Sequence, residues 1–176
     1  KAPKIYVNGN IKSTYTNFSE MMTLGDISTD DGKGKSKTIM PNWIDANTAI
    51  NIKNFSYENF IASDLSGSIY YKNGNINSGN LNAHSLNGEI AGGFILTEPI
   101  NNNLKLVSNI TLKQINIRNS FDAFNNYGQT FITKEQLKGV GTAEINIESH
   151  WKPDFVLDAK KLKVKSHLII EKGELI

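Results

Sequence analysis

Residues 86–96 read LNGEIAGGFIL, and every second residue of this stretch is apolar or glycine. The alternating residues are Leu86, Gly88, Ile90, Gly92, Phe94 and Leu96. Successive side chains of a β-strand point to opposite faces of the sheet. A period of two therefore predicts a strand with one apolar face and one face in water.

The same alternation recurs before and after this stretch and predicts a series of strands. Its members are Leu65, Gly67, Ile69 and Tyr71; Leu104, Leu106, Ile110 and Leu112; Gly141, Ala143, Ile145, Ile147 and Trp151; and Leu162, Val164, Leu168 and Ile170. Asn73-Gly74 predicts a hairpin turn, and a change of parity near Gly79 predicts a β-bulge. Short polar turns favour antiparallel neighbours, so the predicted fold is mainly β: an antiparallel, curled and elongated sheet with one short helix.

One segment, residues 117–127, breaks the alternation and predicts the helix. Its apolar residues Ile117, Phe121 and Phe124 follow the i, i+4, i+7 spacing of one helical stripe. Asn116 or Asn119 is expected to cap the start of this helix. The two phenylalanines are expected to anchor it on the sheet.

The chain divides into two parts of different character. Residues 1–41 hold one candidate strand, Lys4 to Ser13, and then Gly25–Pro41, which is rich in glycine, serine and charge. Gly25–Pro41 is predicted to be a flexible loop. Residues 42–176 carry the series of strands. Because the chain begins with Lys1 and not with Met, we expect it to be a fragment of a longer protein.

Composition argues against several classes of function. The net charge is only +2, from 19 basic and 17 acidic residues, so no basic surface for nucleic acid is predicted. The chain has no cysteine, which removes disulfides and thiolate metal sites. No apolar run reaches the ~18 residues that a membrane-spanning helix needs.

Catalytic motifs are incomplete. The GKS at 34–36 resembles the end of a phosphate-binding loop, but Thr29 stands where the motif needs glycine. The GVG at 139–141 begins like a dinucleotide-binding motif, but Glu144 replaces its last glycine. His84, His150 and His167 lack metal-ligand spacing. We therefore expect a protein that is not an enzyme and has no cofactor, metal or catalytic residue.

The apolar faces of so many strands need a cover, and one short helix is too small to provide it. Either two sheets close on each other, or the sheet curls into an apolar trough. At about 25 cal/mol per Å² of buried apolar area, an acyl chain along such a trough gains several kcal/mol. The candidate lining residues are Ile69, Tyr71, Ile90, Phe94, Leu96, Leu106, Ile110, Leu112, Ile145 and Ile147.

Several stretches resemble a known family. Residues 124–133 (FNNYGQTFIT) and 137–141 (LKGVG) are similar to a segment typical of AsmA-like proteins, relatives of TamB. Residues 60–93 and 170–176 also resemble that family, so that the likeness covers about 42–176. Gly25–Pro41 matches nothing in it.

The resemblance implies a cellular role. AsmA-like proteins are anchored in the inner membrane of Gram-negative bacteria, and their periplasmic β-groove is implicated in phospholipid transport or outer-membrane assembly. The implied partners are phospholipid acyl chains, together with the inner membrane through an anchor outside this chain. The family has no catalytic residues to transfer.

A structural or adhesive β-module that binds protein or glycan would show the same alternation. The two functions differ in whether the apolar faces line an open trough or a closed core.

Limited trypsin digestion is expected to cut first at Lys33, Lys35 or Lys37, because Gly25–Pro41 is rich in glycine, serine and charge and has few apolar residues to hold it against the sheet. Mass spectrometry of the early fragments measures the order of cleavage. First cuts within the predicted strands would contradict the assignment of this loop.

Overall fold

The computed structural model describes residues 3–20, 42–100, 103–152 and 156–175. Nine strands within these ranges form one sheet, which curls without closing into a barrel. The predicted mainly-β fold with one short helix is confirmed. The predicted loop Gly25–Pro41 lies outside the described residues. In chain order the strands are β1 (Ile5–Ser13), β2 (Thr16–Asn17), β3 (Ile44–Tyr57), β4 (Phe60–Lys72), β5 (Asn75–Ser85), β6 (Gly88–Ile100), β7 (Asn103–Asn116), β8 (Leu137–Trp151) and β9 (Lys163–Leu175).

Strands β3 to β9 lie side by side in chain order, and each pair of neighbours is antiparallel. The predicted turn at Asn73-Gly74 joins β4 to β5, with φ values of 51° and 75°. Two positive φ values match the right-handed twist of a hairpin. The β5–β6 turn uses the same conformation at Leu86 and Asn87, although leucine adopts a positive φ at a steric cost.

β1 and β2 are the exception to the antiparallel pattern, because both pair with β3 in parallel. Parallel strands cannot be joined by a tight turn and need a crossover of a dozen or more residues. Residues 18–43 supply that length. The N-terminal strand therefore belongs to the same sheet as the series that follows it.

Bulges interrupt the strict alternation, and the predicted one near Gly79 is present. The β5–β6 register shifts between Ser78 and Leu81, where Asn80 has a φ of 60°. Asp64 and Gln114 also have positive φ values beside register shifts. Each bulge adds one residue to one strand, so the alternation of side chains between the two faces shifts by one position after it.

The register brings the apolar side chains together on one face of the sheet, called here the trough face. Neighbouring residues on this face lie about 4.5–5.5 Å apart between Cβ atoms. One row across the strands is Val7, Ala46, Tyr71, Ile76, Leu96 and Leu106; the next is Gly9, Thr48, Ile69, Ser78, Phe94, Ser108, Ile147 and Val164.

The helix, α1, spans Ile117–Ala123 and starts where it was predicted. The Asn116 side chain accepts a hydrogen bond from the backbone N–H of Asn119 at 3.1 Å, and so caps the first turn. α1 ends before residue 127 because Asn126 and Tyr127 take positive φ values. A 3₁₀ turn, Asn125–Gly128, follows instead.

Two further 3₁₀ turns, Lys134–Gln136 and Ala159–Lys161, precede β8 and β9. The Gln136 side chain accepts from the backbone N–H of Thr133 at 2.9 Å and closes the first of them. In the part of the chain that the structure describes, no helix has the length and apolar character to cross a membrane.

The residues that anchor α1 differ in part from the predicted ones. Ile117 and Ser120 are buried, whereas Phe121 is half-buried and Phe124 is 45% exposed. Ile117 packs over Gly141 of β8, where an added Cβ would lie only 3.6 Å from it. Both phenylalanines contact Tyr127, with ring centroids 5.1 and 5.5 Å away, and Phe124 also makes its predicted contact with the sheet by stacking on Phe60 of β4.

Ile117→Ala is expected to lower the free energy of unfolding by about 2–5 kcal/mol, because it leaves a cavity between α1 and β8. Urea denaturation measures the change. Phe131→Ala is the control: Phe131 is 78% exposed in the same connection, and its loss should change stability by less than ~0.5 kcal/mol. Equal effects of the two substitutions would contradict this anchoring.

Candidate functional site

All of the predicted lining residues lie on the trough face, and each of them is half-buried. None belongs to the buried apolar residues of the described part, which are Ile52, Ala62, Leu104, Ile115, Ile117 and Ala143. Two sheets packed face to face would bury such side chains. Partly exposed apolar side chains on a curled, unclosed sheet form a trough instead.

The register places the predicted lining residues next to one another. Across β6, β7 and β8 the neighbouring pairs are Leu96 with Leu106, Ile90 with Leu112, and Ile110 with Ile145. Phe94 and Ile147 flank Ser108 in one row. Ile69 and Tyr71 extend the surface onto β4.

One part of the trough deepens into an apolar pocket of about 300 Å³. Only Ile90, Phe94 and Ile110 of the predicted residues line this pocket. Its other side chains, on β3, β4, β5 and β7, are Phe55, Phe60, Ala62, Leu65, Leu81, Asn82, Ala83 and Ser108, with Ala91 on β6. No charged residue lines it.

The pocket side chains on β3 and β4 were not among the predicted lining residues, because the alternation of apolar residues is interrupted there. Ala62 and Leu65 are three residues apart, yet both line the pocket. The positive φ of Asp64 and the register shift beside it bring them to one face. The three-residue spacing of Ala62 and Leu65 breaks the period of two, and it was the signal in the sequence for this bulge.

Glycine shapes the floor of the pocket. A Cβ on Gly92 would lie 2.3 Å from the carbonyl oxygen of Asn109 on the neighbouring strand. Outside the pocket lining, Gly67 of β4 has a φ of +149°, and an added Cβ would lie 2.8 Å from the carbonyl oxygen of Asn80. Any side chain here would force the strands apart, so both positions need glycine.

Aromatic side chains close the end of the trough where α1 lies. The Phe60 ring, at the start of β4, stacks on Phe124 with centroids 5.7 Å apart. Two strands, β5 and β6, lie between β4 and β7, the strand that leads into α1. In a flat sheet the axes of β4 and β7 would be about 14 Å apart. The helical connection therefore crosses the end of the trough.

Polar contacts hold this connection to the β5–β6 turn. The Asn119 side-chain amide donates to the side-chain oxygen of Asn87 at 3.2 Å. The backbone N–H of Asn116 donates to the carbonyl of Leu86 at 2.7 Å. These bonds place α1 over the strand ends.

The opposite end of the trough carries polar groups. Burial, together with the nearby Glu98 carboxylate, raises the pKa of the Tyr71 phenol. Tyr71 is therefore neutral at ordinary pH, and its hydroxyl adds a polar group to this end of the trough. The trough thus runs from an aromatic end to a polar end.

Charged residues concentrate on the outer face. Glu148 of β8 lies 3.1 Å from Lys105 of β7 and 3.3 Å from Lys163 of β9. His150 is 3.3 Å away. Hydrogen bonds from Lys105, His150 and Lys163 lower the pKa of Glu148 to about 2. This cluster joins three strands on the side away from the trough.

Within the described ranges, no group of three or more His, Asp or Glu side chains is placed to hold a metal ion. Comparisons with known protein families, with curated proteins and with solved structures each found no match. The trough geometry and the stretches that resemble AsmA-like proteins are therefore the features of this chain that bear on its function.

Glu148→Gln is expected to lower the melting temperature at neutral pH, because it removes a charge that three partners stabilise. A depressed pKa stabilises the fold above the unfolded pKa, 4.5, and that stability is lost as the pH falls toward about 2. The difference from wild type should therefore shrink over this interval, and also in high salt.

Thermal melts of both proteins across that pH interval provide the measurement. Glu144→Gln is the matched control, since Glu144 is exposed on the same strand. A Glu148→Gln difference that stays constant from neutral to acid pH would contradict the assignment.

Proposed function

We propose that this chain is a non-catalytic segment of the periplasmic β-groove of an AsmA-like protein, and that its trough binds phospholipid acyl chains. The observation that carries the proposal is the partly exposed apolar face shared by the predicted lining residues of β4, β6, β7 and β8. A continuous apolar face that stays partly accessible to water marks a binding surface.

The energetics of such a surface suit a hydrocarbon chain. Each buried methylene contributes about 0.8 kcal/mol, so a chain of several methylenes offsets part of the cost of association. The pocket offers no charged group and few polar ones. It therefore favours alkyl chains over sugars, nucleotides or peptides rich in polar groups.

The cellular part of the proposal comes from the resemblance alone. An AsmA-like protein would hold this groove in the periplasm, anchored to the inner membrane by a segment outside this chain. There it would support phospholipid transport or outer-membrane assembly. The trough geometry supports the choice of ligand.

A second candidate function is a structural or adhesive β-module that binds a protein. The edge position of β9 in the described sheet favours it: every residue from Lys163 to Leu175 is exposed. An open edge can pair with a strand of another chain. Lys163, Lys165 and Lys172 lie along this strand, and charged side chains oppose such pairing.

Ile110→Glu tests the lipid-binding proposal, because Ile110 lies between Gly92 and Ile145 in the middle of the trough. The new carboxylate should weaken acyl-chain binding at least about tenfold, the equivalent of ~1.4 kcal/mol. The fold should survive, since the open face lets the carboxylate stay hydrated. The readouts are cross-linking to a photoactivatable phospholipid in vesicles and the melting temperature.

Asn109→Glu is the matched control, since it places the same charge on the outer face of β7. It should leave cross-linking unchanged. Normal cross-linking of a folded Ile110→Glu protein would exclude Ile110 from the lipid path. Unfolding of Ile110→Glu alone would favour a closed core and the structural function.

A further inference from the structure

The pocket has a wall at one end and continues into the trough at the other. Phe55 and Phe60 line it where β3 and β4 meet at their turn. At its other limit Phe94 and Ser108 form a row. Beyond that row the apolar surface continues through Leu96 and Leu106 toward the polar end.

The end wall is held from behind. Phe124 stacks on Phe60 at 5.7 Å but does not itself line the pocket. Phe124 is held in turn by Tyr127, 5.5 Å away, and the Tyr127 hydroxyl is hydrogen-bonded to the buried Ser120 of α1. Phe60 therefore cannot swing away from the pocket without disturbing this stack.

The two ends of the trough differ in charge. The pocket has no charged lining, whereas Glu98 lies beside Tyr71 at the far end. Ile90 and Glu98 are eight residues apart on β6, about 27 Å along a strand. An amphiphile would place its hydrocarbon in the pocket and its polar group toward the end that carries Glu98.

We infer that Phe60, held in position by Phe124, is the stop that limits how much of a phospholipid acyl chain the trough accepts. Phe60 is then the specificity-determining residue for chain length, and Phe124 is a positioning residue behind it. This inference rests on the proposed function and names the part of the ligand that each end of the trough binds.

The volume of the pocket supports a limit of this kind. A cavity of ~150 Å³ accommodates benzene, and the pocket, at about 300 Å³, is twice as large. By that ratio it holds on the order of ten carbons. Carbons beyond that number must stay in the shallower trough, where less of their surface is buried.

The test measures which lipids the protein extracts from vesicles. The vesicles contain equal amounts of phosphatidylethanolamine with decanoyl, lauroyl and myristoyl chains, so the shortest chain fits the pocket and the longest exceeds it. Lipid mass spectrometry of the re-purified protein then gives the ratio of long to short chains. Because this ratio compares lipids bound to the same protein sample, it does not depend on the total amount of lipid bound.

Phe60→Ala should raise the myristoyl-to-decanoyl ratio at least about threefold over wild type, because a deeper pocket buries further methylenes of the longer chain only, and one methylene alone is worth roughly fourfold. Phe124→Ala should shift the ratio in the same direction by less. Phe60→Leu, which keeps an apolar side chain at this position, should give an intermediate ratio and covers the case in which Phe60→Ala does not fold. Phe131→Ala is the control and should match wild type.

The outcomes separate the two proposals. If wild type extracts no lipid, the proposed function fails. If wild type and folded Phe60 variants extract lipid with the same chain-length ratio, the trough binds lipid but Phe60 is not its stop. A shift that Phe131→Ala reproduces would also overturn the inference, since Phe131 is far more exposed than Phe60.

Discussion

The backbone hydrogen-bond ladder imposes one constraint on the whole structure. In an antiparallel pair, residues that face each other point to the same side of the sheet. Once Asn73-Gly74 and Leu86-Asn87 set the hairpin registers, the apolar residues of β4, β5 and β6 must share a face. The trough follows from this constraint, because each added strand widens the same apolar surface.

Departures from the regular hydrogen-bond ladder make some parts of that surface deeper than others. The bulges at Asp64, Asn80 and Gln114 bring extra side chains to the trough face and sharpen the local twist. Gly67 and Gly92 let neighbouring backbones approach where a side chain would collide. The result is a pocket in one half of the trough, between an aromatic wall and a shallower continuation.

The helical connection between β7 and β8 links stability with the proposed function. Ile117 packs on β8, and the Asn119 side chain holds the β5–β6 turn. The same connection carries Phe124 to Phe60 across the trough. A change in α1 would therefore reach the pocket through the ring stack, even though α1 itself lines none of it.

The alternation of apolar residues in the sequence by itself determined much of the secondary structure and of the trough face. A period of two is a property of local geometry, so the strands, the Asn73-Gly74 turn, the Asn116 cap and the trough-face residues such as Ile90 and Ile110 could be predicted from their neighbours in the chain. Long-range packing decided the rest. The parallel pairing of β1 with β3, the role of Ile117 in place of Phe121, and the meeting of Phe60 with Phe124 join residues that are distant in sequence. Such contacts depend on how the sheet curls in space, and local periodicity carries no information about that curvature.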